Sequence, residues 1–220
     1  MARLNREGVN ITMNDIVNFK SIKKISSHIK SRKEVKYSPI DQGPVTGEVT
    51  LLSTQKWFFS KRGFNRNHWN QAHILGLNEN QLSEEEWNQI FRKLFRHHDI
   101  LRSRFYCQDG IWYQTILDQS YFDENVFSYF DNFELDNLDS KKTDIQKSLN
   151  IENAELMRVG LFKISQDEFK LLIVIHHLVV DVVSFKVILE DIELLYNQLC
   201  KKSLLSLPQK THSIIEWSER

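Results

Sequence analysis

The sequence has few of the residues that build specialised scaffolds. Its 220 residues include only two cysteines, Cys107 and Cys200, and no CxxC pair. Two isolated cysteines exclude a disulfide scaffold and a cysteine-based zinc site, and they fit a reducing cytoplasmic environment. Seven glycines and three prolines are a small share of the chain, and no GxGxxG or GxxxxGK[ST] motif is present. A phosphate-binding nucleotide loop is therefore not expected.

Net charge and long hydrophobic runs are missing as well. The chain carries 29 basic and 29 acidic residues, so its formal net charge is zero. This balance gives no reason to expect attraction to nucleic acid or to an anionic membrane surface. The polar N-terminus lacks the apolar core of a signal peptide, and no apolar run approaches the roughly 18 residues that cross a bilayer. We therefore expect no nucleic-acid partner, no membrane partner and a cytoplasmic location.

The apolar patterns that are present divide the chain into three parts. Residues 1–36 carry short helical patterns and predict a small helical segment. Residues 37–46 hold two of the three prolines and predict a linker. Residues 47–220 combine strand-like runs with long amphipathic helices over residues 83–100 and 183–200. Their irregular alternation predicts an α/β (α+β) domain, with a mixed sheet covered by helices.

A pair of adjacent histidines interrupts the stretch IVIHHLVVDVVSF, residues 173–185. Neighbouring residues of a strand point to opposite faces, so we expect one histidine to face the core and the other a cleft. A neutral imidazole near pH 7 accepts a proton from an oxygen, a nitrogen or an activated carbon. Asp181 then fixes an imidazole tautomer, pairs with a buried arginine, or only caps the next helix. A metal site needs three or four ligands, which the pair lacks, so none is expected.

The spacing of this segment resembles the HHxxxDGxS motif of the condensation-domain superfamily of nonribosomal peptide synthetases. Further blocks extend the resemblance in order along residues 47–217, namely LLSTQKWFF with NHWNQ, RHHDILRSRF, and LPQKTHSIIEW after the histidines. These blocks are more similar to epimerization domains than to condensing ones. Domains of this family consist of two chloramphenicol-acetyltransferase-like lobes. The resemblance therefore implies that residues 47–220 form the N-terminal lobe of an epimerization-type domain.

The resemblance also implies roles for individual residues. His177, the second histidine of the motif, is the expected catalytic base, and His176 is expected to be structural. Asp181 is expected to hold the loop in place by pairing with an arginine such as Arg102 or with one from the second lobe. Weaker candidates for lining a substrate tunnel are Asn67, His68, Asn70, Gln71, Val182 and Ser184.

The sequence departs from the family pattern in two ways. Val182 stands where the family has glycine, and valine restricts φ and adds bulk beside the expected cleft. The second lobe, with its catalytic glutamate, has no counterpart in these residues. Residues 1–36 resemble the last helices of a peptidyl carrier protein, without the serine that bears phosphopantetheine. The resemblance thus implies that no cofactor is bound covalently and that a carrier supplies the phosphopantetheine arm in trans.

Together these features imply a fragment of a synthetase for antibiotic- or siderophore-type secondary metabolism, inactive without a second lobe. Its expected partners are a carrier protein, other synthetase modules and a separately encoded second lobe. Two alternatives stay open: a self-sufficient, homotrimeric acyltransferase similar to chloramphenicol acetyltransferase, and a non-catalytic carrier-docking module. His97 and His98 end a predicted helix, where the dipole favours a protonated imidazole, and no catalytic role is expected for them. Trp57, Phe58 and Phe59 are expected in the core.

Overall fold

A computed structural model of the chain describes residues 11, 13–31 and 40–219. The chain divides into two compact units, Met1–Ile40 and Asp41–Arg220. This boundary falls inside the segment that the prolines mark as a linker. The predicted carrier-like segment and the linker lie partly outside the described residues, so their limits stay predictions.

The N-terminal unit contains two short helices, α1 (Met13–Phe19) and α2 (Ile22–Ser31). Lys20 has a φ of 50° and lies between them, where a left-handed residue turns the chain. Asp15 is buried in this unit, and one of its carboxylate oxygens lies 3.5 Å from His28 Nε2. The His28 ring stacks on Phe19 with 4.2 Å between the ring centroids. These contacts join α1 to α2.

The larger unit alternates strands and helices, which confirms the prediction of a mixed α/β domain. Its strands are β1 (Gly47–Val49), β2 (Asn70–Leu77), β3 (Ser103–Gln108), β4 (Ile111–Ile116), β5 (Phe127–Phe130), β6 (Met157–Lys163) and β7 (Phe169–His176). Its helices are α3 (Ser53–Ser60), α4 (Glu84–His97), α5 (Leu138–Lys147), α6 (Val182–Cys200) and α7 (Ile214–Ser218). Short 3-10 turns occur between several of these elements.

The strands form two sheets. A four-stranded sheet has the order β2-β7-β6-β5, and all its pairs are antiparallel except β5 with β6. A three-stranded antiparallel sheet has the order β1-β4-β3. In the long β2–β7 pair, Leu77 lies opposite Phe169 and Asn70 lies opposite His176. This register brings the polar start of β2 beside the histidine that ends β7.

Strand β7 is buried on both faces, which explains its unbroken run of apolar residues. Leu171, Ile173 and Ile175 belong to the larger core, which also contains the apolar faces of α4 and α6. Leu172 and Val174 point the other way into a smaller core that includes Leu138 of α5. Side chains alternate along a strand, so the central positions of a strand covered on both faces, here residues 171–175, are all apolar.

Helix α4 forms where the capping pattern and the apolar spacing predict it. The Ser83 hydroxyl accepts a hydrogen bond from the Glu86 backbone N–H at 3.3 Å, and the Ser83 N–H donates to Glu86 Oε2 at 2.8 Å. The apolar face is fully buried, with Trp87, Ile90, Phe91 and Leu94 each at most 2% exposed. Burying each of these side chains contributes roughly 1.5–3 kcal/mol to the hydrophobic driving force, so this helix anchors the larger core.

Some elements differ from the sequence-based expectations. Trp57 is 57% exposed, whereas its neighbour Phe58 is 2% exposed, because successive residues of a helix point about 100° apart. Strand β3, strand β5 and helix α5 were not predicted. Helix α5 has the sequence LDSKKTDIQK, which is too polar to give a strong helical pattern. Among the described residues, none of the helices combines the length and the apolar character needed to span a bilayer.

Candidate functional site

The histidine pair lies where β7 ends and the chain turns toward α6. His176 is the last residue of the strand, and the His177 backbone N–H donates to the Trp69 carbonyl oxygen at 2.8 Å. Leu178, Val179 and Val180 follow, and each is at most 6% exposed. The turn is therefore fixed by a backbone hydrogen bond to Trp69 on one side and by buried apolar side chains on the other.

His176 is fully buried, and both of its ring nitrogens have partners. Its Nε2 lies 2.7 Å from the Arg66 carbonyl oxygen, and its Nδ1 accepts a hydrogen bond from the Leu178 N–H at 3.2 Å. A carbonyl oxygen only accepts, so Nε2 carries the proton and the ring is neutral. Burial lowers the pKa of His176 to about 4. The ring thus joins the strand end to the turn and leaves no nitrogen for a substrate.

His177 is half-buried and has a different set of contacts. Its Nδ1 lies 2.6 Å from the Val180 carbonyl oxygen, so in the neutral ring Nδ1 is the donor and Nε2 holds the lone pair. The amide nitrogen of Gln71 lies 3.4 Å from that Nε2. The indole of Trp69 covers the imidazole with 4.8 Å between ring centroids. His177 therefore has one nitrogen fixed by the backbone and one able to accept a proton.

Aromatic packing holds this arrangement together. The Phe58 ring stacks on Trp69 with centroids 4.5 Å apart and meets His176 edge-on at 6.1 Å. Phe58 thus contacts the ring of one histidine and the indole that covers the other. The sequence predicts Phe58 in the core and indicates no role for Trp69. Trp69 and Gln71 are two residues apart, a spacing that places both on one face of an extended strand and that could have paired them.

Asp181 caps helix α6. Its carboxylate accepts hydrogen bonds from the Ser184 backbone N–H at 2.7 Å and from the Ser184 hydroxyl at 2.6 Å, and its own N–H donates to Ser184 Oγ at 2.8 Å. These bonds lower the pKa of Asp181. The residue is exposed, and within the part of the chain that the structure describes it has the capping role, one of the three that its position allowed.

Arg102 does not form the predicted pair with Asp181. Its fully buried guanidinium donates to Asp99 Oδ1 at 2.8 Å. It also binds the backbone carbonyl oxygens of Val45, Phe95 and Leu117. The arginine at this position therefore joins the end of α4 to two neighbouring segments, and the loop after the histidines is held by its buried apolar residues instead.

The weaker tunnel candidates are spread over several environments. Asn67 Oδ1 accepts from the Ile151 N–H at 3.0 Å, and Asn70 Nδ2 donates to the Gln146 carbonyl oxygen at 3.3 Å. His68 is exposed, and Val182 is 76% exposed at the first turn of α6. Among these polar candidates, Gln71 is the one whose side chain reaches His177. The bulk of Val182 therefore stands at the surface, in ordinary helical backbone.

A second histidine pair ends helix α4. His98 Nε2 lies 2.8 Å from Asp191 Oδ2 of α6, and this carboxylate is 7% exposed. His97 was expected to favour the protonated form at the helix terminus. Instead, burial and the neighbouring His98 lower the pKa of His97 to about 4. Desolvation thus outweighs the helix dipole at this position.

The same residues offer the ligand atoms of a potential metal site. Atoms of His97, His98 and Asp191 lie within 4.8 Å of one another. However, His98 and Asp191 already bond to each other, with 2.8 Å between His98 Nε2 and Asp191 Oδ2. In the structure these two side chains therefore form a hydrogen bond that links the C-terminal end of α4 to α6.

Comparison with known proteins gives a consistent result. The family model described as "Condensation domain" matches residues 45–220. One of the linear gramicidin synthase proteins of Brevibacillus parabrevis is 34% identical over 228 residues, covering 100% of this chain and 4% of the relative. Surfactin synthase subunit 1 of Bacillus subtilis (strain 168) is 35% identical over 224 residues, covering 100% of this chain and 6% of the relative. The chain thus spans a small part of the length of these relatives.

Solved structures share the fold. The epimerization domain from the third module of tyrocidine synthetase B has a TM-score of 0.75 and 34% identity, covering 81% of this chain and 41% of that chain. The first condensation domain of the calcium-dependent antibiotic synthetase has a TM-score of 0.64 at 14% identity, which shows the fold alone. The predicted relation to condensation and epimerization domains is confirmed, and the chain belongs to the condensation-domain family of nonribosomal peptide synthetases.

Proposed function

We propose that this chain forms the side of an epimerization active site that carries the catalytic base. In this proposal His177 Nε2 removes the α-proton of an aminoacyl or peptidyl thioester bound to a carrier protein. The support is the 2.6 Å hydrogen bond from His177 Nδ1 to the Val180 carbonyl oxygen, which leaves the lone pair on Nε2. A neutral imidazole held in this tautomer takes up a proton without first losing one.

The reaction needs a second group that His177 does not supply. Removal of the α-proton leaves the electron pair in an enolate of the thioester, and a proton returned to the opposite face gives the other stereoisomer. Both ring nitrogens of His176 have partners, so it is not the opposing acid. We propose that a second lobe, in the same polypeptide or a separate one, supplies that acid and the donors for the enolate oxygen.

Epimerization is favoured over condensation. The identity of 34% to the solved epimerization domain supports this subtype. In a condensing domain the same imidazole would orient or deprotonate an attacking amine. The similarity to peptide synthases over the whole chain also favours this proposal over a self-sufficient trimeric acyltransferase.

We propose that a peptidyl carrier protein delivers the thioester on its phosphopantetheine arm, so that no cofactor is attached to this chain. Helices α1 and α2 support assigning residues 1–36 to the end of such a carrier. The match of the gramicidin and surfactin synthases to 100% of the chain supports it as well. The proposed setting is the synthesis of a peptide antibiotic or similar product in the cytoplasm.

The test is a chimera in which this chain replaces the matching part of the tyrocidine synthetase B epimerization domain. A carrier protein loaded with an L-aminoacyl thioester is incubated with it in D2O. Deuterium at the α-carbon and the chirality of the released amino acid are measured. We expect the chimera to form the D-isomer, His177→Ala to lose at least about 100-fold in rate, and His212→Ala to serve as the matched histidine control.

The chain without the second lobe should form no D-isomer, because one base cannot return a proton to the opposite face. An active chimera whose rate survives His177→Ala would remove His177 from the mechanism. D-isomer formed by the chain alone and abolished by His177→Ala would show that the opposing acid lies within these residues.

A further inference from the structure

Gln71 has a polar atom that the hydrogen bonds around it leave without a partner. This residue lies in β2, and its amide nitrogen is 3.4 Å from His177 Nε2. Its Oε1 is buried and has no hydrogen-bond partner among the residues that the structure describes. A buried acceptor without a partner is costly, so the amide would be expected to turn unless its nitrogen is needed where it lies.

The tautomer of His177 explains this orientation. Nδ1 faces the Val180 carbonyl oxygen, which only accepts, so the proton of the neutral ring is on Nδ1. Nε2 then presents a lone pair, and only the NH2 end of the amide suits it. The oxygen is turned away as a consequence. The 3.4 Å separation is long for a hydrogen bond, so the amide holds this nitrogen weakly and a substrate can displace it.

The protonated ring reverses these requirements. Once Nε2 has accepted a proton, both ring nitrogens are donors, and the Val180 oxygen still takes the one on Nδ1. The proton on Nε2 then needs an acceptor. A half-turn of the Gln71 amide brings the unpartnered Oε1 to that proton, and the same side chain then serves the acid form.

The other ionisable groups around this turn do not offer an acceptor for a proton on Nε2. His176 lies behind His177 with both nitrogens bonded, and burial lowers its pKa to about 4, which keeps it neutral. The carboxylate of Asp181 is held by Ser184. Arg66, in the turn before β2, donates from Nη2 to the Lys61 carbonyl oxygen at 3.1 Å, and its guanidinium carries only donors. Gln71 is therefore the acceptor at hand for a proton on Nε2.

We propose that Gln71 is a positioning residue whose amide turns over when His177 changes protonation state, donating to the base form and accepting from the acid form. This inference rests on the proposed role of His177 as the base. In the reaction the proton moves from the α-carbon to Nε2, and the amide rotation stabilises the imidazolium until the proton leaves.

The test is nitrogen-15 NMR of the imidazole rings in the full chain, which needs neither a carrier nor a second lobe. The His177 signals, assigned with His177→Ala, are followed against pH in Gln71→Met, Gln71→Glu and the matched control Asn70→Asp. Asn70 is the neighbouring residue, and its side chain binds the Gln146 carbonyl oxygen instead of His177. Amide backbone spectra check that each variant is folded.

In the wild type we expect the neutral His177 to carry its proton on Nδ1 and the Gln71 NH2 signals to shift as the ring is protonated. Gln71→Glu should raise the proton affinity of the ring by at least about tenfold, because a carboxylate accepts and cannot donate. Gln71→Met should lower it several-fold, because the acceptor for the acid form is lost.

A neutral ring protonated on Nε2, or a proton affinity unchanged in both Gln71 variants, would overturn the proposal. So would an Asn70→Asp effect as large as that of Gln71→Glu, because the cause would then be general electrostatics. The chimera separates this inference from the proposed function. If His177→Ala abolishes epimerization but the Gln71 variants leave the proton affinity of the ring unchanged, His177 remains the proposed base and the proposed rotation of the Gln71 amide is wrong.

Discussion

The molecule has two pairs of adjacent histidines, and each pair is near an aspartate at or in helix α6. A histidine of one pair bonds to its aspartate, whereas neither histidine of the other pair does. His98 and Asp191 are 93 positions apart in the sequence, yet His98 Nε2 lies 2.8 Å from the buried carboxylate. His177 and Asp181 are four positions apart, yet the His177 ring bonds to the Val180 carbonyl oxygen and the Asp181 carboxylate bonds to Ser184. Closeness in sequence therefore does not identify a histidine–aspartate pair.

The comparison also separates buried from usable imidazoles. In each pair one ring, His176 or His97, has its pKa lowered to about 4, chiefly by burial. In the pair at the end of α4, the other ring is bound by a carboxylate. In the pair at the end of β7, the other ring keeps a lone pair that faces the weakly held amide of Gln71. His177 therefore has a ring nitrogen available for proton transfer, whereas the ring of His98 is held by the Asp191 carboxylate.

The largest expected effect is the loss of folding stability at low pH that results from the buried His176. Its folded-state pKa of about 4 lies below the 6.5 of an unperturbed histidine. As the pH falls below 6.5, the unfolded chain takes up a proton that the folded chain accepts only near pH 4, so stability falls with pH. Between pH 7 and pH 4 this linkage removes about 3 kcal/mol from the free energy of unfolding.

Urea denaturation at several pH values measures this loss. His176→Asn should be less stable than the wild type at pH 7 but should show the smaller loss on acidification. His97→Asn should reduce the acid loss less, because His97 is partly exposed, and His68→Asn controls for removing a surface histidine. Equal pH slopes in the wild type and His176→Asn would show that the buried ring takes up its proton as readily as the unfolded chain does.

A smaller effect is expected from Asp191. Asp191→Ala removes the buried acceptor of His98 and should lower the free energy of unfolding by about 2 kcal/mol, the range for hydrogen bonds that involve a charged group. Asp191→Asn keeps an acceptor oxygen and should cost less. Chemical denaturation at pH 7 measures both. Wild-type stability in Asp191→Ala would mean that this pair does not join α4 to α6.

The smallest loss of stability is expected from substituting Asp181, although this residue is the aspartate of the HHxxxD motif. Asp181→Ala removes an exposed helix cap and should cost about 1 kcal/mol, less than Asp191→Ala. The tautomer of His177, followed by nitrogen-15 NMR, should stay as in the wild type. A loss of several kcal/mol, or a changed tautomer, would mean that Asp181 holds the histidine loop after all.

Much of the fold could be predicted from the sequence because its signals are local. The Ser83–Glu86 capping box and the apolar spacing from Trp87 to Leu94 predict α4, and the run ending at His176 predicts a buried strand. Strand alternation also predicted that the two adjacent histidines would differ in environment. The short strand β5 and the polar helix α5 carry weaker patterns, since packing against β6 and β7, more than their own composition, stabilises them.

The sequence by itself determined the family, the mixed α/β class and the position of the adjacent histidines at the end of a buried strand, because motif spacing and periodicity are properties of the chain. Only the tertiary structure decided the partners of the polar groups. Arg102 binds Asp99 and three carbonyl oxygens rather than Asp181, and Gln71 meets His177 through the β2–β7 register. Hydrogen bonds between distant segments depend on how strands and helices pack, and one-dimensional spacing does not contain that information.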